Sequence, residues 1–267
     1  MEPALPSAAR PWVRRLFVVG HVAKGIVYLL VGGLAVLSSA GKGGKVSGEE
    51  GAVRSIGEQP FGRFLLIGAG LGLLCYAVWR LFQAVFNPEK KRGVAGAGLR
   101  IGRLIGGLTH GALAVTAFQL GLGQVAASHQ KESRLWVGNV LSAPFGEALI
   151  AIVGLALCGF AIYQLYCAAA SHFPERFDAA AGSRRWVTAV ARIGLTARGV
   201  VFGIIGARLV QAGFADSSRH TRDIGGALRD VASQPHGRLL LGLVAAGLAA
   251  YGVYQLVVAR FGRTPGT

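Results

Sequence analysis

The chain has 267 residues, of which 52% are hydrophobic and 15% charged, against about 25% charged in an average soluble protein. Mean hydropathy is +0.50, and 41 residues are Gly with no three-residue period. Together these values exclude a disordered chain, a disulfide scaffold and most soluble enzymes, and they predict a polytopic helical membrane protein.

A membrane span needs about 20 mostly apolar residues. In chain order six segments qualify, at about residues 16–38, 64–86, 101–125, 146–170, 187–213 and 239–261. The first follows Arg14 and Arg15 and ends near Ser38-Ser39-Ala40, as a secretory leader would. Its apolar run is too long for a leader and contains His21 and Lys24, so it is read as a span. Cys75, Cys158 and Cys167 all lie inside spans, which leaves no disulfide framework and no zinc spacing. Neither a metal nor a cofactor is expected.

The 28 Lys and Arg against 12 Asp and Glu give a net charge of +16. In a soluble protein that excess suggests nucleic acid; here its distribution points to a bilayer. The termini, residues 87–100 and 171–186 and the adjoining helix ends hold 14 basic and 4 acidic residues, and the other side holds 10 and 8. Lys and Arg accumulate in cytoplasmic loops. Both termini are therefore expected in the cytoplasm, with the chain in a bacterial inner membrane. The partners expected are the bilayer and anionic lipid, not nucleic acid.

Two boxes recur three times. The first is Gly-x-x-x-basic-Gly, as Gly20, Lys24, Gly25; Gly106, His110, Gly111; and Gly194, Arg198, Gly199. The second is Pro-x-Gly, at Pro60, Pro144 and Pro235. An aromatic box follows each Pro by sixteen residues, and it begins at Tyr76, Phe160 and Tyr251. Self-similarity at such a period marks a repeat architecture. The reading is a single integral membrane domain over 1–267, with repeats at about 12–87, 98–171 and 186–262. Each repeat is a helical hairpin, and all three share one orientation about a pseudo-three-fold axis. Apolar pairs ahead of each Pro (Val53 and Ile56, Val137 and Val140, Leu228 and Val231), with Ala52, Trp136 and Ala227 beside them, predict short amphipathic helices in the outer loops. Each Pro is expected near the first turn of the span that follows, where its missing N–H is harmless.

Residues 12–262 resemble a bacterial membrane-protein family of unknown function in which a pair of transmembrane helices occurs three times. The Ala191–Phe202 stretch, the Gln-Pro-x-Gly turns and the Tyr-x-x-Trp and Tyr-x-x-Tyr boxes carry the resemblance. It implies the architecture and no activity, substrate or cofactor. The second repeat departs from the pattern: His110 stands for the basic residue, Ala143 for Gln59 or Gln234, and Glu147 for Arg63 or Arg238. A charge-dependent role of the basic position is thereby in doubt in that repeat.

Lys24, Arg80 and Arg198 are placed by the topology in the cytoplasmic halves of their spans. A cation at mid-membrane costs about 2.5–3.5 kcal/mol on insertion scales. No acidic residue lies deep in a span, so no carboxylate partner is expected for them. One reading is that these side chains snorkel to headgroups. The other is that Lys24, His110 and Arg198 converge, with Arg80, Gln164 and Gln255 nearby, on an anionic group such as a lipid phosphate. Gly25, Gly111 and Gly199 are expected to admit a neighbouring helix closely.

The chain has no zinc-binding His-Glu-x-x-His helix, nucleophile elbow or phosphate loop. It is read as non-enzymatic, with a cytoplasmic-leaflet site for an anion or lipid headgroup. The alternative is a small-solute transporter with a central site between the repeats. Three two-helix repeats resemble mitochondrial carriers, but the carriers' Pro-x-acidic-x-x-basic motif is missing from the odd helices.

Overall fold

The computed structural model describes residues 10–42, 48–87, 93–124, 139–170, 185–214 and 224–262. Six helices are long and apolar enough to cross a membrane. They are α1 (Arg10–Ser39), α3 (Gly62–Phe86), α4 (Gly93–Gly121), α5 (Gly146–Ala170), α6 (Arg185–Phe214) and α8 (Gly237–Phe261). Two short helices, α2 (Glu49–Gly57) and α7 (Ile224–Ala232), precede α3 and α8. The expected spans are all present, with extra turns at the starts of α1 and α4. Of the third expected short helix, Trp136 and Val137 lie outside the described residues.

The Pro-x-Gly box makes the same turn three times. Each Pro stands in that turn, two residues ahead of the helix and near its first turn, as expected. The residue after it, Phe61, Phe145 or His236, has a left-handed φ of 60°, 63° or 60°. For a non-Gly residue this costs about 1–3 kcal/mol and needs support from its surroundings. The following Gly N–H closes the turn, donating to Gln59 O at 2.8 Å, Ala143 O at 2.9 Å and Gln234 O at 2.8 Å. Gly is required there because the turn brings it onto the end of the preceding short segment. A Cβ on Gly62 would lie 2.5 Å from Gly57 O, and one on Gly146 or Gly237 would collide with the carbonyl of Val140 or Ala232.

The repeats also fix the order of neighbours. The most extensive packing joins the second long helix of one repeat to the first of the next: α3 to α4, α5 to α6, and α8 back to α1. Gly25 lies against Leu256, and Gly199 against Leu165, at this junction. In the second repeat Gly107, one turn earlier than the expected Gly111, meets the equivalent Leu81. Helices α1 and α3 also pack within their repeat, as do α6 and α8, but α4 and α5 make no comparable contact. The neighbour order follows the repeats, and the ring of contacts is open between α4 and α5.

The sequence explains the opening. Within the first repeat Gly20 lies so close to α3 that a Cβ would be 2.6 Å from Tyr76 Cα; Gly194 and Tyr251 Cα repeat that geometry in the third. One turn on, Ala23 faces Gly72 and Ala197 faces Gly247, again with no room for another methyl. Since Gly107 stands where Gly25 and Gly199 do, the equivalent residues of the second repeat are Ile105 and Ala156. Both are larger, so α4 and α5 cannot approach to the same distance.

At the end of the bundle that carries α2 and α7, the apolar stripes of the two short helices point inward. Ala52, Val53, Ile56, Ala227 and Leu228 are buried and join the main core with Val27, Val31, Leu73 and Leu248. Helix α2 packs on α1, α3, α4 and α7. It closes the bundle rather than lying along its surface. An ion pair between Arg208 Nε and Asp230 Oδ2, 2.9 Å apart, ties α7 to α6.

Candidate functional site

Midway along the helices, the three-fold basic position meets the aromatic boxes. Lys24 is 1% exposed. Its Nζ donates to the Tyr76 hydroxyl at 2.8 Å and lies 4.4 Å from the centre of that ring. The rings of Tyr28 and Tyr251 stand 5.8 and 5.9 Å away. Lys24 therefore does not snorkel; a cage of tyrosines holds it inside the bundle. A desolvated cation–π contact is worth roughly 2 kcal/mol, which offsets much of the insertion cost of the charge.

Arg80 shares the same acceptor. Its Nε donates to the Tyr76 hydroxyl at 2.9 Å, and its guanidinium reaches Gln83 Oε1 at 3.3 Å. The His110 ring stacks at a tilt on Tyr76, with centroids 4.7 Å apart. His110 Nδ1 is fixed 2.8 Å from Gly106 O. His21 approaches the same tyrosine ring edge-on at 5.2 Å.

Arg198 occupies the corresponding place on α6. Its guanidinium carbon lies 4.9 Å from the Tyr251 ring, 4.8 Å from Phe202 and 5.6 Å from Phe160. Its Nη1 donates to Gln164 Oε1 at 3.0 Å. Gln255 Nε2 donates to the Tyr251 hydroxyl at 3.0 Å. Tyr28 and Tyr251 meet edge-on at 4.8 Å and join the two halves. All six residues singled out in the sequence, Lys24, Arg80, His110, Gln164, Arg198 and Gln255, thus belong to one network.

The network contains a carboxylate that was not expected. Glu49, the first residue of α2, reaches down from the closed end of the bundle. One of its oxygens lies 3.9 Å from His110 Nε2. Its carboxylate and the Arg198 guanidinium both interact with the Tyr28 hydroxyl. The expectation that no carboxylate approaches the buried cations is corrected: an acid in a loop by sequence is carried into the core by a short re-entering helix. A signal was available. Glu49 stands eleven residues before Pro60, and Glu132 and Asp223 stand twelve before Pro144 and Pro235. Tyr28 and Gln83 were likewise missed, since neither belongs to a repeated box.

Three cations face one carboxylate in this network when its groups hold their ordinary charges. Three polar side-chain atoms of the network are buried without a hydrogen-bond partner among the described residues: Arg198 Nε, Gln164 Nε2 and His110 Nε2. A buried donor left unmade costs about 1–3 kcal/mol, and more on a charged group. Two of these atoms are donors in any state, on side chains already bonded to each other. The arrangement offers positive charge and directed N–H groups to an acceptor. Among the described residues no group of His, Cys, Asp and Glu is arranged to hold a metal ion.

The chain matches the family described as Domain of Unknown Function (DUF1206) three times, over residues 19–87, 101–171 and 193–262. It is 30% identical over 260 residues to the uncharacterized protein YxxB of Bacillus subtilis (strain 168), a match covering 95% of this chain and 92% of that protein. No solved structure matches.

Proposed function

The chain belongs to this three-repeat family of unknown function, and we propose that it is a non-enzymatic membrane protein that binds an anionic group at the centre of its helix bundle. The ligand group is a phosphate or similar oxyanion, free or as a lipid headgroup. Arg198 and Gln164 are its donors, and Lys24 and Arg80 supply the positive field. The observation that carries this reading is the excess of buried positive charge beside Arg198 Nε and Gln164 Nε2, two donors without acceptors. A buried cation without its counter-charge is costly, and an oxyanion supplies both the charge and the acceptor atoms. The site is proposed midway along the helices, deeper than the cytoplasmic leaflet position expected from sequence. The cell membrane and cytoplasmic termini follow from the charge bias of the loops.

The test is native mass spectrometry after mild detergent extraction. The parent should retain an anionic lipid or solute that a folded Lys24→Gln, Arg198→Gln variant does not. Equal retention in both would remove the site. Transport of the same ligand, the alternative reading, would appear as its flux through parent proteoliposomes.

A further inference from the structure

The opening between α4 and α5 borders the proposed anion site. Its walls are the surfaces that are buried in the other two repeats. On α4 they are Gly102 and Ile105, equivalent to Gly20 and Ala23; on α5 they are Ala156 and Phe160, equivalent to Gly72 and Tyr76. Gly20, Ala23, Gly72 and Tyr76 are buried, as are Gly194, Ala197, Gly247 and Tyr251 of the third repeat. In the second repeat Ile105 is 57% exposed and Phe160 37%, while Gly102 and Ala156 are also exposed. A Cβ on Gly102 would meet nothing within 4 Å. The Phe160 ring lies 5.6 Å from the Arg198 guanidinium carbon, so one wall of the opening borders a cation of the network directly.

Two of the three partnerless atoms lie on the same two helices. His110 Nε2 belongs to α4, and Gln164 Nε2 belongs to α5, one turn from Phe160; the third, Arg198 Nε, is on α6, and its guanidinium faces Phe160. Ile105 and Phe160 give the rim an apolar character that suits hydrocarbon, while the cations behind it suit an anion. A soluble anion has no use for an apolar entrance facing the bilayer, whereas an amphiphile has both parts. Resting on the anion-site reading above, we infer that the α4–α5 opening is a lateral portal. The ligand is an amphiphile whose anionic head enters through it and reaches Arg198 and Gln164 while its chain stays in the membrane. The second repeat has given up hairpin packing through Ile105 and Ala156, and its Phe160 has no hydroxyl to occupy the head's place as Tyr76 does on Lys24.

The experiment compares dodecyl phosphate with inorganic phosphate as probes of the full chain in maltoside micelles, in the parent and in two variants. Gly102→Trp and Ile105→Trp each fill one wall of the portal and leave Lys24, Arg80, Arg198 and Gln164 in place. The parent should bind dodecyl phosphate at least tenfold more tightly than inorganic phosphate. At least one variant should lose most of that preference while keeping inorganic phosphate binding within threefold. No preference in the parent would overturn the portal, as would a preference that survives both substitutions or variants that weaken both probes equally. If the parent binds neither probe, the anion site itself is wrong, and the two failures are thereby told apart.

Discussion

Glu49 places a carboxylate oxygen 3.9 Å from His110 Nε2, linking the first residue of α2 to the middle of α4. The same carboxylate acts on Tyr28 and, through it, on Arg198. Glu49 is therefore a built-in counter-ion at the edge of a cationic site, in competition with any anionic ligand. Replacing it with Gln removes a like charge from the ligand's surroundings. At about 7 Å and an effective dielectric constant near 20, one unit charge is worth roughly 2 kcal/mol, or about thirtyfold in affinity. Glu49→Gln should tighten anion binding, measured by titration with dodecyl phosphate, by at least fivefold.

Helix approach gives a sharper contrast. Gly20→Ala and Gly194→Ala push a methyl to 2.6 Å from the backbone of Tyr76 and Tyr251, and overpacking of this kind costs about 1–3 kcal/mol. Gly102→Ala, at the equivalent place in the second repeat, meets nothing within 4 Å. Thermal unfolding in detergent should show clearly lower midpoints for the first two variants and an unchanged or slightly raised midpoint for the third. Equal losses in all three would mean that the second hairpin is packed like the others.

The separation of α4 and α5 is open to a direct chemical check. Two cysteines form a disulfide only when their Cα atoms lie within about 7 Å. With Cys75, Cys158 and Cys167 replaced by Ala, an Ile105→Cys, Ala156→Cys variant should fail to form a disulfide on mild oxidation. It should still be joined by a long bis-maleimide, as seen on a gel after cleavage between the helices. Rapid, complete disulfide formation would show a closed hairpin.

Helix α7 is held to α6 partly by Arg208 and Asp230 at 2.9 Å. Both groups are partly exposed, and such a pair contributes less than about 1 kcal/mol. Asp230→Asn should leave global unfolding nearly unchanged and raise hydrogen exchange across residues 224–232 by a few-fold. A global loss of several kcal/mol would give the pair a larger role than its exposure allows.

The spans and repeats were legible because apolar length and a recurring ordered box are local properties of the chain. Lys24, Arg80, Gln164, Arg198 and Gln255 were legible for the same reason, but the register that the boxes suggest for α4 is one turn off: Gly106, not His110, stands at the place of Lys24 and Arg198, and His110 joins the network from the turn beyond. Glu49 was not. Its depth depends on α2 turning back into the bundle on the stripe Ala52, Val53 and Ile56, a tertiary event that a span count does not register. Lys24 was singled out, but its escape from snorkelling depends on Tyr28 and Tyr251, contributed by other turns and another repeat. The open second hairpin was written in Ile105 and Ala156, yet its meaning appears only once Ala23–Gly72 and Ala197–Gly247 are seen to touch.

The central claim is that the buried network is an anion site governed by its net charge. The most direct measurement is the dissociation constant for dodecyl phosphate, at fixed ionic strength, across the folded parent, Glu49→Gln, Lys24→Gln and the Lys24→Gln, Arg198→Gln variant. The account predicts tightest binding for Glu49→Gln, then the parent, then Lys24→Gln, with the double variant weakest and each step at least fivefold. Constants that do not follow the charge order, or a double variant that binds as well as the parent, would contradict it.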